Sequence, residues 1–237
     1  MDRVNWRTSP SDDRPAVWLG SALGVHLEAP GLHALAMQLT ERAADPSAQA
    51  SALFRHVSHL PFELSDPALR TLPEALHSLS AGDGYFKATL WLHLLRICHI
   101  PARMRWVELD PSYVTRGLWD FSRLAGMPFF YPLIEVWLQG RWHAVDAYAM
   151  DPPLFKAVMS EMERRRWPAA YFVHRNGTCT WDGQGDALQR FSPLDPTSCP
   201  LRDLGCHHSH ADFMRAWGRL VPETAVTHLA YENQTRM

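Results

Sequence analysis

GDGYFKATLWLHLLRICHIPAR, running from Gly82 to Arg103, is the stretch on which the fold turns. Its opening Gly82-Asp83-Gly84 reads as a loop. Asp83 can accept from first-turn amides as a helix N-cap. The spacing then predicts a helix to about Cys98. Ala88, Trp91, Leu92 and Leu95 share one face, Leu90, Leu94 and Ile97 widen it, and Thr89, His93 and Arg96 fall on a narrow polar side. An apolar stripe that broad marks a central, mostly buried helix. Pro101 ends it, and residues 102–109 alternate as a strand.

Downstream lies the clearest hairpin, 133–138 and 141–147, with Gln139-Gly140 as its turn. A two-residue turn sets Leu138 opposite Arg141, Leu133 opposite Asp146 and Tyr131 opposite Tyr148. Period-two alternation then puts Tyr131, Leu133, Glu135, Trp142, Asp146 and Tyr148 on one face, and Ile134, Val136, Leu138, His143 and Val145 on the other. After Pro152-Pro153, residues 154–166 form a charged amphipathic helix, and Arg164-Arg165-Arg166 reads as its solvated end. Residues 174–210 are loop-like, rich in Gly, Pro, Asp and Ser, and 211–221 suit a final helix.

Upstream, 30–42, 48–59 and 72–79 have helical character, residues 1–15 form a loose arm, and Asp110–Met127 is a loop insertion. The expected organisation is an arm (1–15), a core domain (16–150) and a C-terminal extension (151–237) able to cover a cleft. A hydrophobic content of 46% supports a folded core. A net charge of -2 argues against a nucleic-acid partner. The N-terminal residues lack a signal-peptide pattern and no run of 18 apolar residues occurs, so the expectation is a cytoplasmic protein without a membrane span. The four cysteines are expected as free thiols. Oligomeric state is not set by the sequence.

The order of these pieces resembles the transglutaminase-like superfamily, whose papain-like core packs a central helix on an antiparallel sheet. The residues that carry the resemblance are Gly82 to Arg103 with Leu94-Leu95-Arg96 and Ile100-Pro101-Ala102-Arg103, then Tyr131-Pro132-Leu133-Ile134-Glu135-Val136, then Trp142-His143-Ala144-Val145-Asp146. Ala52–Val57 and Leu72–Leu76 resemble the segments that lead into the helix. The resemblance implies an α+β fold and a Cys-His-Asp triad. Counting back from Pro101 puts the nucleophile's place at Gly84, and counting back from Glu135 puts the histidine's place at Tyr131. Asp146 matches the third member. Glycine cannot attack a carbonyl, and tyrosine, with an ordinary pKa near 10, is a poor general base at neutral pH. Acyl transfer through a thioester is therefore not expected. Cys98 lies at the far end of the helix, roughly 20 Å from Gly84 at 1.5 Å per residue, and cannot replace the thiol.

The expected site therefore has Asp146 and Tyr131 as catalytic groups. Gly84, Tyr85, Asp83, Tyr148 and Trp142 are expected ligand-binding groups, with the amides at the helix start open to an anion and Asp83 as a competitor for them. Such a site would support cyclisation, isomerisation, elimination or hydrolysis of a small-molecule or peptidyl substrate, without a cofactor. A binding protein and a noncatalytic scaffold are the alternatives. Cys206, His208 and His210 carry zinc-ligand types, but without a paired Cys-x-x-Cys spacing no metal is expected.

Overall fold

The computed structural model describes residues 13–22, 25–63, 80–110, 116, 129–193, 195, 198 and 200–218. The expected helix at 72–79, Cys199 and nearly all of the 110–127 insertion lie outside them. Helices α1 (Pro30–Thr40) and α2 (Pro46–His59) precede the central helix α3 (Gly84–Ile97). Strands β1 (Ala102–Leu109), β2 (Phe129–Leu138) and β3 (Arg141–Val145) follow. Then come α4 (Pro152–Arg165), the short hairpin β4 (Ala169–Ala170) and β5 (Val173–His174), strand β6 (Arg202–His207) and helix α5 (His210–Trp217).

The fold is α+β. One sheet has the order β3-β2-β1-β6, with every pair antiparallel. The β2–β3 register sets Leu138 opposite Arg141 and Ile134 opposite Val145, as the hairpin arithmetic requires. Gln139 and Gly140 both take positive φ (53° and 80°), the primed turn that matches strand twist. β6 corrects the reading of 174–210 as loop. It shows no apolar alternation and contains Gly205, so nothing local marks it. Pairing with β1 makes it a strand, through a register shift between Trp106 and Val107. The segment after Met150 thus contributes a strand to the core sheet.

Asp83 caps α3, its Oδ1 accepting from the Phe86 N–H at 2.8 Å. Every residue of α3 except Tyr85 is buried. The helix packs between α1–α2 and one sheet face, in a cluster that includes Met104, Trp106, Ile134, Val136 and Val145. Its polar residues are buried as well. Arg96 donates from Nε and Nη2 to the Ala102 carbonyl and from Nη1 to that of Gly20. His93 bridges the Thr89 carbonyl and the His26 N–H, so its proton sits on Nδ1. Burial pushes its pKa down to about 4.

The other sheet face carries a second cluster of Val107, Leu109, Tyr131, Leu133, Ala144 and Phe191. Farther along that face, Glu135 accepts from Arg103 Nε (2.6 Å) and Arg105 Nε (2.8 Å), and Arg105 reaches Asp203 at 2.7 Å. These side chains are buried, and two cations meet two carboxylates, which satisfies the demand that buried charge be paired.

Candidate functional site

Asp146 is the first residue beyond β3, where the chain leaves the sheet. Its N–H and that of Ala147 donate to the Ala187 carbonyl, and the Ala187 N–H returns a bond to Ala144. Residues 186–190 therefore run beside the end of β3. Gln189 fixes the following turn, its Oε1 accepting from Met150 N–H and its Nε2 donating to the Ala147 and Met150 carbonyls. This alignment aims the Gln189 and Arg190 N–H groups at the Asp146 carboxylate. The carboxylate is fully buried. Burial raises its pKa to about 6 against the opposing pull of the Gln189 N–H and Arg190.

Arg190 is the residue that joins the site together. Its guanidinium lies 4.0 Å from the Tyr131 ring centroid and 5.3 Å from that of Phe172, a cation held against aromatic faces. Phe172 reaches this position from the turn between β4 and β5. There Tyr171 and Phe172 both take positive φ (53° and 62°), a conformation costly for aromatic residues. A side chain added at Gly84 would place its Cβ 2.7 Å from Arg190 Nη2 and 3.1 Å from the Ala149 Cβ. The space in front of Gly84 is therefore filled, by an arginine that no local pattern singled out. At the start of α3 the Asp83 carboxylate takes the Phe86 amide, the competition expected of it.

One turn along α3 from Gly84 stands Lys87, which sequence reasoning missed. It is completely buried and its Nζ has no hydrogen-bond partner. Burial lowers its pKa to about 8, Asp151 and Asp83 pull it back upward, and Arg190 pushes it down. Asp151 caps α4 through the Leu154 N–H and also accepts from the Phe62 N–H. Composition held a signal here, for the chain has two lysines, Lys87 and Lys156, among 23 basic residues.

Gly84, Tyr131 and Asp146 thus converge on Arg190. Asp83 and Tyr148 border them, each close enough to act electrostatically on Tyr131, whereas Tyr85 and Trp142 lie elsewhere. Tyr85 faces His210 and Trp106, with ring centroids 4.8 and 6.3 Å away. The Tyr148 ring packs on Trp91 in the helix-side cluster, because the chain turns after Asp146 with an Ala149 N–H to Asp146 carbonyl bond, and it still acts electrostatically with Tyr131, Asp146 and Arg190. Trp142 lies under the Arg103 guanidinium at 4.0 Å, beside the Glu135 network. Cys206 donates to Glu135, His208 stacks near Trp18, and His210 meets Tyr85, so the three weak metal candidates do not face one another. Among the described residues no cluster of three His, Cys, Asp or Glu side chains is arranged for a metal. No helix among them is long and apolar enough to cross a membrane.

The Tyr131 hydroxyl and Asp146 carboxylate perturb each other's proton affinity without meeting hydrogen-bond geometry. Burial pushes the Tyr131 pKa further above its ordinary value, so it is a hydrogen-bond donor rather than a base. The arrangement offers a carboxyl that exchanges its proton near neutrality, a fixed guanidinium and an amine of lowered pKa. Oppositely shifted acids and amines in one place are a mark of functional sites.

No family model matches the chain, and no curated protein matches it either. A solved structure described as a "putative cysteine protease" from Cytophaga hutchinsonii is 16% identical to it, with a TM-score of 0.43. The alignment covers 61% of this chain and 45% of that one, so this chain spans less than half of that protein's length.

Proposed function

We propose that the chain is a divergent transglutaminase-like protein whose site works without a thiol. In this reading Asp146 transfers protons at a small-molecule or peptidyl substrate, and Tyr131 and Arg190 orient the substrate and balance its charge. The observation that carries it is the Arg190 guanidinium, which occupies the space in front of Gly84, lies on Tyr131 and is tied through its backbone to Asp146. A group that fills the place of a nucleophile excludes attack from that point and leaves acid–base chemistry to a carboxyl near pKa 6. The chemistry in view is cyclisation, isomerisation, elimination or hydrolysis. A second reading, a noncatalytic binding protein or scaffold, is favoured by the burial of Asp146, Tyr131 and Arg190 alike.

The test is a metabolite-library thermal-shift screen on the wild-type protein and on Asp146→Asn, with hits followed for turnover by NMR. The proposal expects a ligand whose stabilisation and conversion depend on Asp146. Turnover that persists in Asp146→Asn refutes it, and ligand binding without any turnover moves the protein to the second reading.

A further inference from the structure

The geometry points to Lys87 as an amine nucleophile that captures a small aldehyde or ketone as an imine at the buried end of this site. The inference rests on reading the site as chemically active, and goes further by making one step covalent. Its basis is an amine with no solvent exposure and no hydrogen-bond partner, one helical turn from Gly84. A buried, unpaired polar group calls for an explanation, because leaving it unsatisfied costs stability.

The groups that face it narrow the chemistry. Asp83 approaches from the loop before α3, Asp151 from the cap of α4 and Arg190 from the segment beside β3. Both carboxylates accept from backbone N–H groups, the Lys87 Nζ has no hydrogen-bond partner, and the carboxylates act on it through space. A lysine in an apolar site beside another cation loses its proton more easily and becomes a nucleophile, which an arginine cannot do. Lys87 is desolvated and has the Arg190 cation near it, the two carboxylates pull the other way, and its pKa of about 8 leaves a usable neutral fraction at pH 7.

The step balances without an oxidant or reductant. The Nζ lone pair attacks the carbonyl carbon, the C–O π pair moves to oxygen, and one amine proton is transferred to it, giving a carbinolamine. Departure of that hydroxyl with the second amine proton releases one water and leaves a carbon–nitrogen double bond. The amine is covered in the structure, so capture follows transient opening, and the probe must be small.

The test exposes the folded wild-type protein to acetaldehyde and cyanoborohydride, and maps the trapped ethyl group by peptide mass spectrometry. Lys156, which is exposed, is the internal reference. Labelling of Lys87 at least tenfold faster than Lys156 supports the inference, as does a Lys87 rate that climbs between pH 6 and 8 and levels above about 8. Equal or faster labelling of Lys156, with Lys87 reacting only in denaturant, overturns it. The two readings separate in the same experiment. An Asp146-dependent ligand response with no Lys87 labelling overturns the imine alone. Fast Lys87 labelling with a ligand response indifferent to Asp146→Asn overturns the acid–base reading alone.

Discussion

Replacing Lys87 by Met removes a buried charge that has no hydrogen-bond partner, and the protein is expected to become more stable. The amine titrates near 8 in the folded chain against 10.5 for an ordinary lysine. At 1.36 kcal/mol per pKa unit, the folded state gives up about 3 kcal/mol at pH 7 to keep the amine buried. Methionine is unbranched, similar in length and adaptable enough to fill the same space. Lys87→Met should therefore gain about 3 kcal/mol at pH 7, which for a chain of this size raises Tm by about 6–12 °C. The sign of the pH dependence is fixed as well. Between pH 8 and 10.5 the unfolded chain binds more protons than the folded one, so wild-type stability gains from Lys87 as pH rises through that window. Tyr131 and Cys206, both with raised pKa values, act in the opposite sense at alkaline pH. The informative quantity is thus the difference between the two proteins. Urea unfolding from pH 7 to 10 should show the advantage of Met shrinking steadily. A Met variant no more stable than wild type at pH 7, or an advantage constant with pH, would refute the reasoning and mean that Nζ has a partner in solution.

Gly84→Ala should cost about 1–3 kcal/mol by pressing on Arg190 and Ala149. Adding Arg190→Ala should recover at least about 1 kcal/mol beyond additivity in urea unfolding, whereas additive effects would place the guanidinium elsewhere. Glu135→Ala strips Arg103 and Arg105 of their shared buried carboxylate. It should cost about 3–5 kcal/mol by chemical denaturation, and a loss near zero would show the network to be solvated. His93 and Asp146 oppose each other in acid. The His93 contribution falls as pH drops from 6.5 to about 4, while the Asp146 penalty appears as pH rises from 3.8 to about 6, each about 3 kcal/mol in full. Relative to wild type, His93→Gln should therefore lose a rise in stability with pH between 4 and 6, and a profile identical to wild type would count against the His93 assignment.

The parts of the fold legible in the sequence are those whose pattern is local. The buried helix announces itself by an apolar stripe wider than one face, with Asp83 before it and Pro101 after it. The β2–β3 register follows from a two-residue turn in which Gln139 and Gly140 both reach positive φ. β6 was not legible because it has no pattern of its own. Arg202 and Asp203 would argue against a strand, and Gly205 would weaken one. Its placement comes from backbone pairing with β1 and from the ion pair between Asp203 and Arg105, 98 residues apart. The Tyr148 ring lands in the helix-side cluster for a related reason. Alternation predicts a face only while the strand continues, and Asp146 is where it stops.

The site divides along the same line. Gly84, Tyr131 and Asp146 could be located by counting within a helix and a hairpin, and the structure does bring them to one place. What that place contains could not be counted, because Arg190 arrives from a segment whose position depends on Gln189, Ala187 and the strained turn at Tyr171-Phe172. An empty position in a sequence is not an empty volume, since interiors close on any space a missing side chain leaves. Lys87 shows the converse. Within the helix pattern it is one polar residue among apolar ones, and an extended lysine commonly carries its charge to the surface. Here the side chain is completely buried, with Asp83, Asp151 and Arg190 near its amine. The fold retains a buried amine that destabilises it, with Arg190 acting on both it and the Asp146 carboxyl, and the stability of Lys87→Met measures the size of that cost independently of any substrate.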